Sequence, residues 1–571
     1  MSVAGPDTSQ IITQRGFAAR SDARGGEAEI RTWGLPPWDR DRDALLLTAS
    51  VRRHERDLGP SEVRDLMHRE PAGIAEVMPA FAAVSTTPSG RIVVATDHLG
   101  FRHVFHGRRD GVAVVSTSSR VCALELGRGL DLEAVAVQSS LGWQLGQRTL
   151  FQEVTKLPPG GIATLDDGAI GVGPTTGAAG SGPIDLESAV RTAAAMLRTY
   201  LSSYVEDHPD AGLQLTGGQD SRLLLSAVPR AQRRGLRVVT LGAAGDPDVD
   251  IAADLAARYG LRHELLSLTG LGDVDPAEAY ALCLAAARRL DCSADPLAHA
   301  ALTYAESRSE PGPRISGLGG EVARGFYYLG PPTTAPVTRS RATRLARWRM
   351  FVNEAVPVEA LDPSFGAWAR DFATEEVVRV LDATGRPWLA ATDDLYLGHR
   401  MQRWAGVTET AVCLDRQVVN PMLDDRFIAI ATALGPLDKR SSRFLSRLQL
   451  ELDPELGSLP LDGRPPPAAY ARRSLRNSAH QSAATARRAR RKVVQRVRGQ
   501  ARPPAGGEIL TAKVLQHWRE DPTAPTSLAG LGVFDGRWLD DVVSGERTPP
   551  SSAVALMVNL VAALEPGDRR V

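Results

Sequence analysis

The sequence predicts an α/β protein in which a β-rich domain precedes a parallel sheet covered by helices. Three observations predict it. Between Asp185 and Leu268 the apolar residues alternate between helical spacing and short strand-like runs, giving helix, strand, helix, strand, helix, strand. Before residue 180 the short apolar runs are bounded instead by turn residues, a hairpin-rich pattern. Two glycine-rich turns that each carry an acid, Gly217-Gly-Gln-Asp220 and Gly317-Leu-Gly-Gly-Glu321, follow a strand. In open parallel sheets the carboxyl ends of the strands are where ligands sit.

With 571 residues the chain exceeds one core, so two main domains plus additions are expected. Charged residues make up 23% and apolar ones 43%, a globular balance. Lys plus Arg equal Asp plus Glu at 67 each, which removes the net positive charge of a dedicated nucleic-acid binder. Four cysteines, Cys122, Cys283, Cys292 and Cys413, have no CxxC spacing, which argues against zinc and a disulfide scaffold. No uncharged apolar stretch approaches the about 18 residues of a membrane span. Met1 to Gln14 lacks the basic flank and apolar centre of a secretion signal, so the expected location is the cytoplasm, with no membrane partner.

Residues 1–180 form the first predicted domain. Phe81-Ala-Ala-Val-Ser85, Arg91-Ile-Val-Val-Ala-Thr96 and Gly111-Val-Ala-Val-Val-Ser116 read as strands between Pro-Ser-Gly and Arg-Asp-Gly turns. A helix starts at Asp131, Lys156-Leu-Pro-Pro-Gly-Gly161 turns the chain, and Ile162 to Leu165 is a further strand. Residues 171–183 are rich in Gly, Thr and Ala without periodicity and read as a linker.

The second domain, 185–465, opens on a helix from Asp185 to Glu206, striped by Val190, Ala194, Leu197, Leu201, Tyr204 and Val205. Leu213 to Thr216 is a short strand, and Leu223 begins the next helical run. The Gly217-Gly218 pair therefore lies in a strand-to-helix turn, where glycine permits both unusual angles and close approach to a ligand. Amides of Gly218 to Ser221 at a helix N-terminus favour an anion. A strand from Arg237 to Leu241, a helix capped by Asp248 and ended by Gly260, and a strand from Arg262 follow. His263 reads as a strand-surface histidine.

The segment 213–222, Leu-Gln-Leu-Thr-Gly-Gly-Gln-Asp-Ser-Arg, resembles the pyrophosphate loop of ATP pyrophosphatases, Ser-Gly-Gly-X-Asp-Ser. It is not a P-loop, since no Gly-Lys-Ser/Thr follows. More of the chain is similar to asparagine synthetases. Ala95-Thr-Asp-His-Leu-Gly100, Val104-Phe105, Val115-Ser-Thr-Ser118 and Thr149-Leu-Phe-Gln-Glu-Val-Thr-Lys-Leu-Pro-Pro-Gly160 look like their glutaminase domain. Arg314-Ile-Ser-Gly-Leu-Gly-Gly-Glu-Val-Ala-Arg-Gly325 and Val419-Asn-Pro-Met-Leu-Asp-Asp425 look like two later motifs of their synthetase domain. The resemblance implies an ATP-pyrophosphatase (adenine nucleotide alpha hydrolase-like) parallel-sheet domain, preceded by a β-rich Ntn-type glutaminase-like domain. It implies ATP and Mg2+, with Asp220 and Glu321 as metal ligands. Thr216, Gly217, Gly218, Gln219, Asp220 and Ser221 would bind the phosphates, Thr240, Leu241 and Gly242 would flank adenine, and Gly317 and Gly319 would line the second turn.

Three departures qualify what the resemblance implies. The family's N-terminal catalytic Cys is missing, because the chain begins Met1-Ser2-Val3 and its first cysteine is Cys122, so the first domain is expected to be catalytically silent. Val322 replaces the second acid of the Glu321 turn. The segment that carries the family's catalytic lysine reads Leu459-Pro-Leu-Asp-Gly-Arg-Pro465, leaving Arg464 or Lys439 as substitutes. Arg400 and Arg403 either reach phosphate or acyl-adenylate oxygens or sit on a solvated helix face.

Residues 466–507 form a basic connector. No acid occurs between Arg464 and Glu508, and Arg472 to Arg498 holds ten Lys or Arg. Without interleaved aromatics it reads as a solvated connector or a dock for an acidic partner or peptide, not as a nucleic-acid site. Residues 508–571 are expected to be a helical tail that closes over the second domain. The expected activity is an ATP-dependent carbon–nitrogen ligase: a carboxylate is activated as acyl-adenylate and attacked by an amine, both groups conceivably on one peptide. Beta-lactam synthetases and lasso peptide cyclases share this logic. Asparagine synthesis and a non-catalytic nucleotide-binding protein are the alternatives.

Overall fold

The computed structural model describes residues 16–23, 27–173, 182–243, 245–328, 333–352, 354–412, 416–471 and 506–565. The protein is a mixed α/β fold with three five-stranded sheets. Two of them are antiparallel and belong to the first region. One runs in the order Thr155–Lys156, Phe105–Arg109, Val112–Ser116, Gly16–Asp22 and Glu27–Trp33. The other runs Ala169–Val172, Ile162–Asp166, Ile92–Thr96, Ala82–Thr86 and Leu45–Leu46.

Alternation along these strands explains their layering. Phe17, Ala19, Ala113 and Val115 of one sheet pack on Ala82, Val84, Val94 and Leu165 of the other, all buried. The outer faces are covered by helices. Val63, Leu66 and Met67 of helix Pro60–Arg69 meet Phe81, Ala83 and Ala95. Cys122, Ala123 and Leu126 of helix Ser119–Leu126 meet Phe105 and Val114. The first region is thus layered helix, sheet, sheet, helix.

The third sheet is wholly parallel, in the order Arg262–Ser267, Arg237–Gly242, Gly212–Gln214, Arg314–Ile315, Val418–Val419. The central strand pairs Leu213 with Val238 on one side and with Ile315 on the other. Its buried apolar residues share a core with Leu197, Tyr200 and Leu201 of helix Leu186–Asp207 and with Leu223 and Leu224 of helix Gln219–Ala227. Val239 and Leu266 pack with Ala305 of helix Pro296–Glu306.

Most predicted elements lie within a residue or two of their expected bounds, and Asp131 and Asp185 cap their helices as read. Two differ. Strand Ala169–Val172 extends into the expected linker, where Ala163 to Asp166 pair with it. Helix Pro247–Tyr259 begins after Asp246, so Asp248 lies inside the first turn and is free for another bond. Gly260 ends that helix at φ +65°, in the left-handed region that glycine tolerates best.

The tail forms helices Gly507–Glu520, Gly536–Ser544 and Ser551–Leu564. They pack on helices Pro276–Arg289 and Pro296–Glu306, and share a core with Ala134 and Val135 of the first region. The tail therefore bridges both regions as well as covering the second. Residues 472–505 of the basic connector lie outside the described residues. Among the described residues no helix is long and apolar enough to cross a membrane, and Cys122, Cys283 and Cys292 are buried free thiols.

Candidate functional site

The Gly217-Gly218 turn sits at the carboxyl end of the central parallel strand. Gly217 is confined on three sides. A side-chain carbon there would come within 2.9 Å of Asp462 Cβ and Ile251 Cδ1, and 3.0 Å of Asp248 Oδ1. The Gly217 amide donates to that Asp248 carboxylate at 2.8 Å, the bond its misread capping position left available. Gly218 N donates to Thr216 Oγ1 (3.1 Å), and Thr216 N donates to Ser221 Oγ (3.2 Å), so Thr216 and Ser221 hold the turn shut. Helix Gln219–Ala227 then starts at Gly218 without a side-chain cap, which leaves its positive end facing the turn.

Asp220 occupies the first turn of this helix and meets the second acidic turn. Arg324 binds it through both terminal nitrogens, Nη1 to Oδ1 at 3.3 Å and Nη2 to Oδ2 at 3.1 Å. The same Arg324 Nη2 pairs with Glu321. One guanidinium therefore serves two carboxylates. Burial pushes the Asp220 pKa from 3.8 up to about 7, with Arg324 and Arg464 opposing the rise and Glu321 adding to it. The Arg324 pKa is raised by the two acids despite its burial, so the arginine stays charged between them. Gly320 is required at this point, because any side-chain carbon there would strike the Asp220 carboxyl. Gly317 is equally constrained, since a carbon on it would lie 2.9 Å from Ser221 N. Gly319 takes φ +107° against Met422 O.

The segment Leu459–Arg464 lies alongside. Asp462 N donates to Gly217 O at 3.0 Å. Arg222, buried in the glycine-loop helix, donates Nη1 to Leu459 O at 2.9 Å and to Pro460 O at 2.8 Å. Arg464 acts electrostatically on Asp220. Lys439 is committed elsewhere. It is 2% exposed and its Nζ donates to Asp393 Oδ2 at 2.8 Å, where Tyr328 Oη also donates at 2.8 Å. Of the two substitutes for the missing lysine, Arg464 is the one facing Asp220.

The remaining predicted residues divide. Thr240 is buried and donates its hydroxyl to Leu215 O at 2.7 Å, tying the two strands together. It also faces His263 Nε2 at 3.0 Å. Leu241 is 37% exposed at the strand end, and Gly242 leaves room for Asp246. The Gln219 side chain points inward, donating to Ser446 Oγ at 3.1 Å, so only its backbone remains to meet a ligand.

Arg400 is sandwiched by aromatic rings, with its guanidinium carbon 4.7 Å from the Trp404 ring centre and 5.7 Å from those of Trp143 and Phe326. It pairs with Glu354 at 3.6 Å. Both Arg400 and Glu321 act electrostatically on Tyr396, which leaves Arg400 one residue removed from the acidic turn. Arg403 does not belong to the site. It is 1% exposed, donates to Arg148 O at 2.9 Å, and burial lowers its pKa to about 10. Both lie in a π-helical stretch, Tyr396–Ala405, whose wider turns rotate the side chains away from the face an α-helix would give them.

Arg324, Gly320 and Asp248 were not singled out as ligand-site residues in the sequence. Arg324 lay within the quoted motif, three residues after Glu321, a spacing at which helical neighbours meet. Asp425 lies within 4.8 Å of His54 and Asp424, close enough to share an ion, but Arg426 already binds Asp424 through Nε and Nη2, each at 2.9 Å.

No family model matches the chain, and no curated protein matches it.

Proposed function

We propose that the protein is an ATP-dependent carbon–nitrogen ligase that activates a carboxylate as its acyl-adenylate, releases pyrophosphate, and passes the acyl group to an amine. One observation carries this reading. An uncapped helix N-terminus, the Asp220–Arg324–Glu321 cluster and Arg464 meet at the carboxyl ends of one parallel sheet. That combination suits an anionic leaving group.

The donor set fits Mg2+. Two carboxylates share the Arg324 guanidinium, and burial disfavours the ionised form of Asp220, which a bound cation would restore. Asp220 and Glu321 would hold the ion, which supplies charge neutralisation to the pyrophosphate oxygens. The first-turn amides of Gln219 to Ser221 bind the phosphates, with Gly217 and Gly218 shaping the turn through their bonds to Asp248 and Thr216, and Thr240 to Gly242 line the adenine. Gly317 keeps the second turn against the Ser221 amide, so the two glycine-rich turns lie side by side. Arg464 opposes charge growing on the phosphate, in the role of the absent lysine.

In this reading the parallel sheet is an ATP-pyrophosphatase domain of asparagine synthetase type. The helix–sheet–sheet–helix layering of the first region supports a glutaminase-like fold. The enzyme works in the cytoplasm on an amine already present in its substrate. The test is ATP–pyrophosphate exchange across a panel of carboxylates, including aspartate. Label in ATP that depends on one acid supports the ligase, and aspartate alone would restore asparagine synthesis. A protein that binds Mg-ATP but exchanges nothing with any acid is the non-catalytic alternative, which the commitment of Lys439 to Asp393 favours.

A further inference from the structure

A cavity of about 830 Å³ opens beside the strand ends, between the second region and the tail. Leu241 and Leu318 form its border with the glycine-rich turns, Leu318 being flanked by Gly317 and Gly319. Its far wall is built by the tail helices, with Leu515, Leu556 and the exposed Ala512 facing in. The size is that of a drug-sized ligand or short peptide.

Its charge is one-sided. Among the described residues that line it, Asp295, Glu354, Glu409 and Glu508 are acids and none is Lys or Arg, in a chain whose acids and bases balance. Asp295 caps a helix and Glu354 pairs with Arg400, so both are already engaged. Glu409 has only a 3.3 Å bond from Asn420 Nδ2. It forms no ion pair among the described residues, and is enclosed by protein while open to the cavity.

A second feature points the same way. His299, 4% exposed, has no hydrogen-bond partner on either ring nitrogen, and burial lowers its pKa to about 4, which keeps it neutral. Asn559 donates to Ala294 O, but its own oxygen has no partner. The polar capacity left unfilled in this wall is mostly that of acceptors, and buried acceptors are costly to leave unmet.

We propose that this cavity is the substrate pocket, and that it takes an apolar substrate bearing a protonated amine, with the ammonium against Glu409. This rests on the ligase reading only for placing the substrate carboxyl at the Leu318 end, next to Asp220. The acids exclude a second anion from the pocket, which orients the substrate so that its one carboxyl lies at the strand ends.

The test needs neither ATP nor turnover. Octylamine, octanol and octanoate are titrated calorimetrically into the full-length protein. Octylamine is expected to bind at least tenfold more tightly than either of the others. Glu409→Gln keeps the shape of the site and the Asn420 contact, and is expected to reduce that preference to about twofold. Ala512→Trp, on an exposed wall position, should weaken all three ligands tenfold or more. Equal binding of octylamine and octanol, a preference that survives Glu409→Gln, or no octylamine binding at all overturns the proposal. Octylamine binding that meets these expectations in a protein without pyrophosphate exchange overturns the ligase reading and leaves the amine pocket standing.

Discussion

Asp220→Asn is the most informative single change, because stability and function should move in opposite directions. Burial lifts the Asp220 pKa from 3.8 to about 7. A lift of about three units corresponds to about 4 kcal/mol at ~1.4 kcal/mol per unit, a ceiling for a side chain that is 16% exposed. Between those pH values the folded protein keeps a proton that the unfolded chain has released. The contribution of Asp220 is therefore full below pH 3.8 and lost as pH rises through about 7. Asparagine carries no charge at any pH, and Arg324 keeps Glu321 as its partner. The advantage of Asp220→Asn over wild type should grow by about 2–3 kcal/mol between pH 5 and pH 8, or several degrees in thermal midpoint. Scanning both proteins by fluorescence across that range, without ligand, reads the trend. At pH 8 the added stabilisation by Mg-ATP should appear in wild type and be absent from the variant. A midpoint gap that stays flat with pH, or a variant less stable at pH 8, would mean that the pairing with Arg324 and Arg464 outweighs burial.

Five further outcomes are expected. Glu321→Gln should lower pyrophosphate exchange about 10²-fold, roughly 3 kcal/mol of transition-state stabilisation, with the thermal midpoint little changed; undiminished exchange removes Glu321 from the site. Arg464→Ala should lower exchange at saturating substrate at least tenfold without loss of fold. Lys439→Met should instead lower the thermal midpoint, because it strips the buried partner from Asp393, a change typically costing about 3–5 kcal/mol; the reverse pattern would give Lys439 the catalytic role. Gly317→Ala should weaken Mg-ATP binding tenfold or more, since the added carbon meets Ser221 N at 2.9 Å, and unchanged affinity would show that the turn yields freely. Glutamate release from glutamine should stay at blank level, and release that disappears in Ser2→Ala would restore a working glutaminase.

The glycine-rich strand-to-helix turn was legible because its signals are local. A strand, two glycines and an acid at a helix start lie within ten residues, and the chain has few other ways to fold such a run. Arg403 was not legible. Its exclusion depends on a π-helical stretch and on Arg148, 255 residues away, and neither leaves a mark in helical spacing. The cap of helix Pro247–Tyr259 failed for a subtler reason. Asp246 and Asp248 are both good N-cap residues around a proline, and only the fold reveals that Asp248 is claimed by Gly217. The cavity beside the strand ends draws on residues from Gln138 to Asn559, so no window of sequence contains it.

The contact made by Arg403 bears on how this chain could be divided. Its buried guanidinium reaches Arg148, the next residue Gln402 donates Nε2 to Leu99 O at 3.1 Å, and His103 Nε2 meets Gln402 O at 2.9 Å. Thr410 closes the same seam, donating to Phe101 O and accepting from His103 N. Separating the halves after residue 173 would expose this seam to water, losing about 0.5–1.5 kcal/mol of net stabilisation per hydrogen bond together with the apolar burial around it. Whatever its own chemistry, the first half is the mould against which the second half sets. Expression of residues 182–571 by themselves should give aggregated material, whereas the two halves produced together should re-form the seam and be purified as one particle.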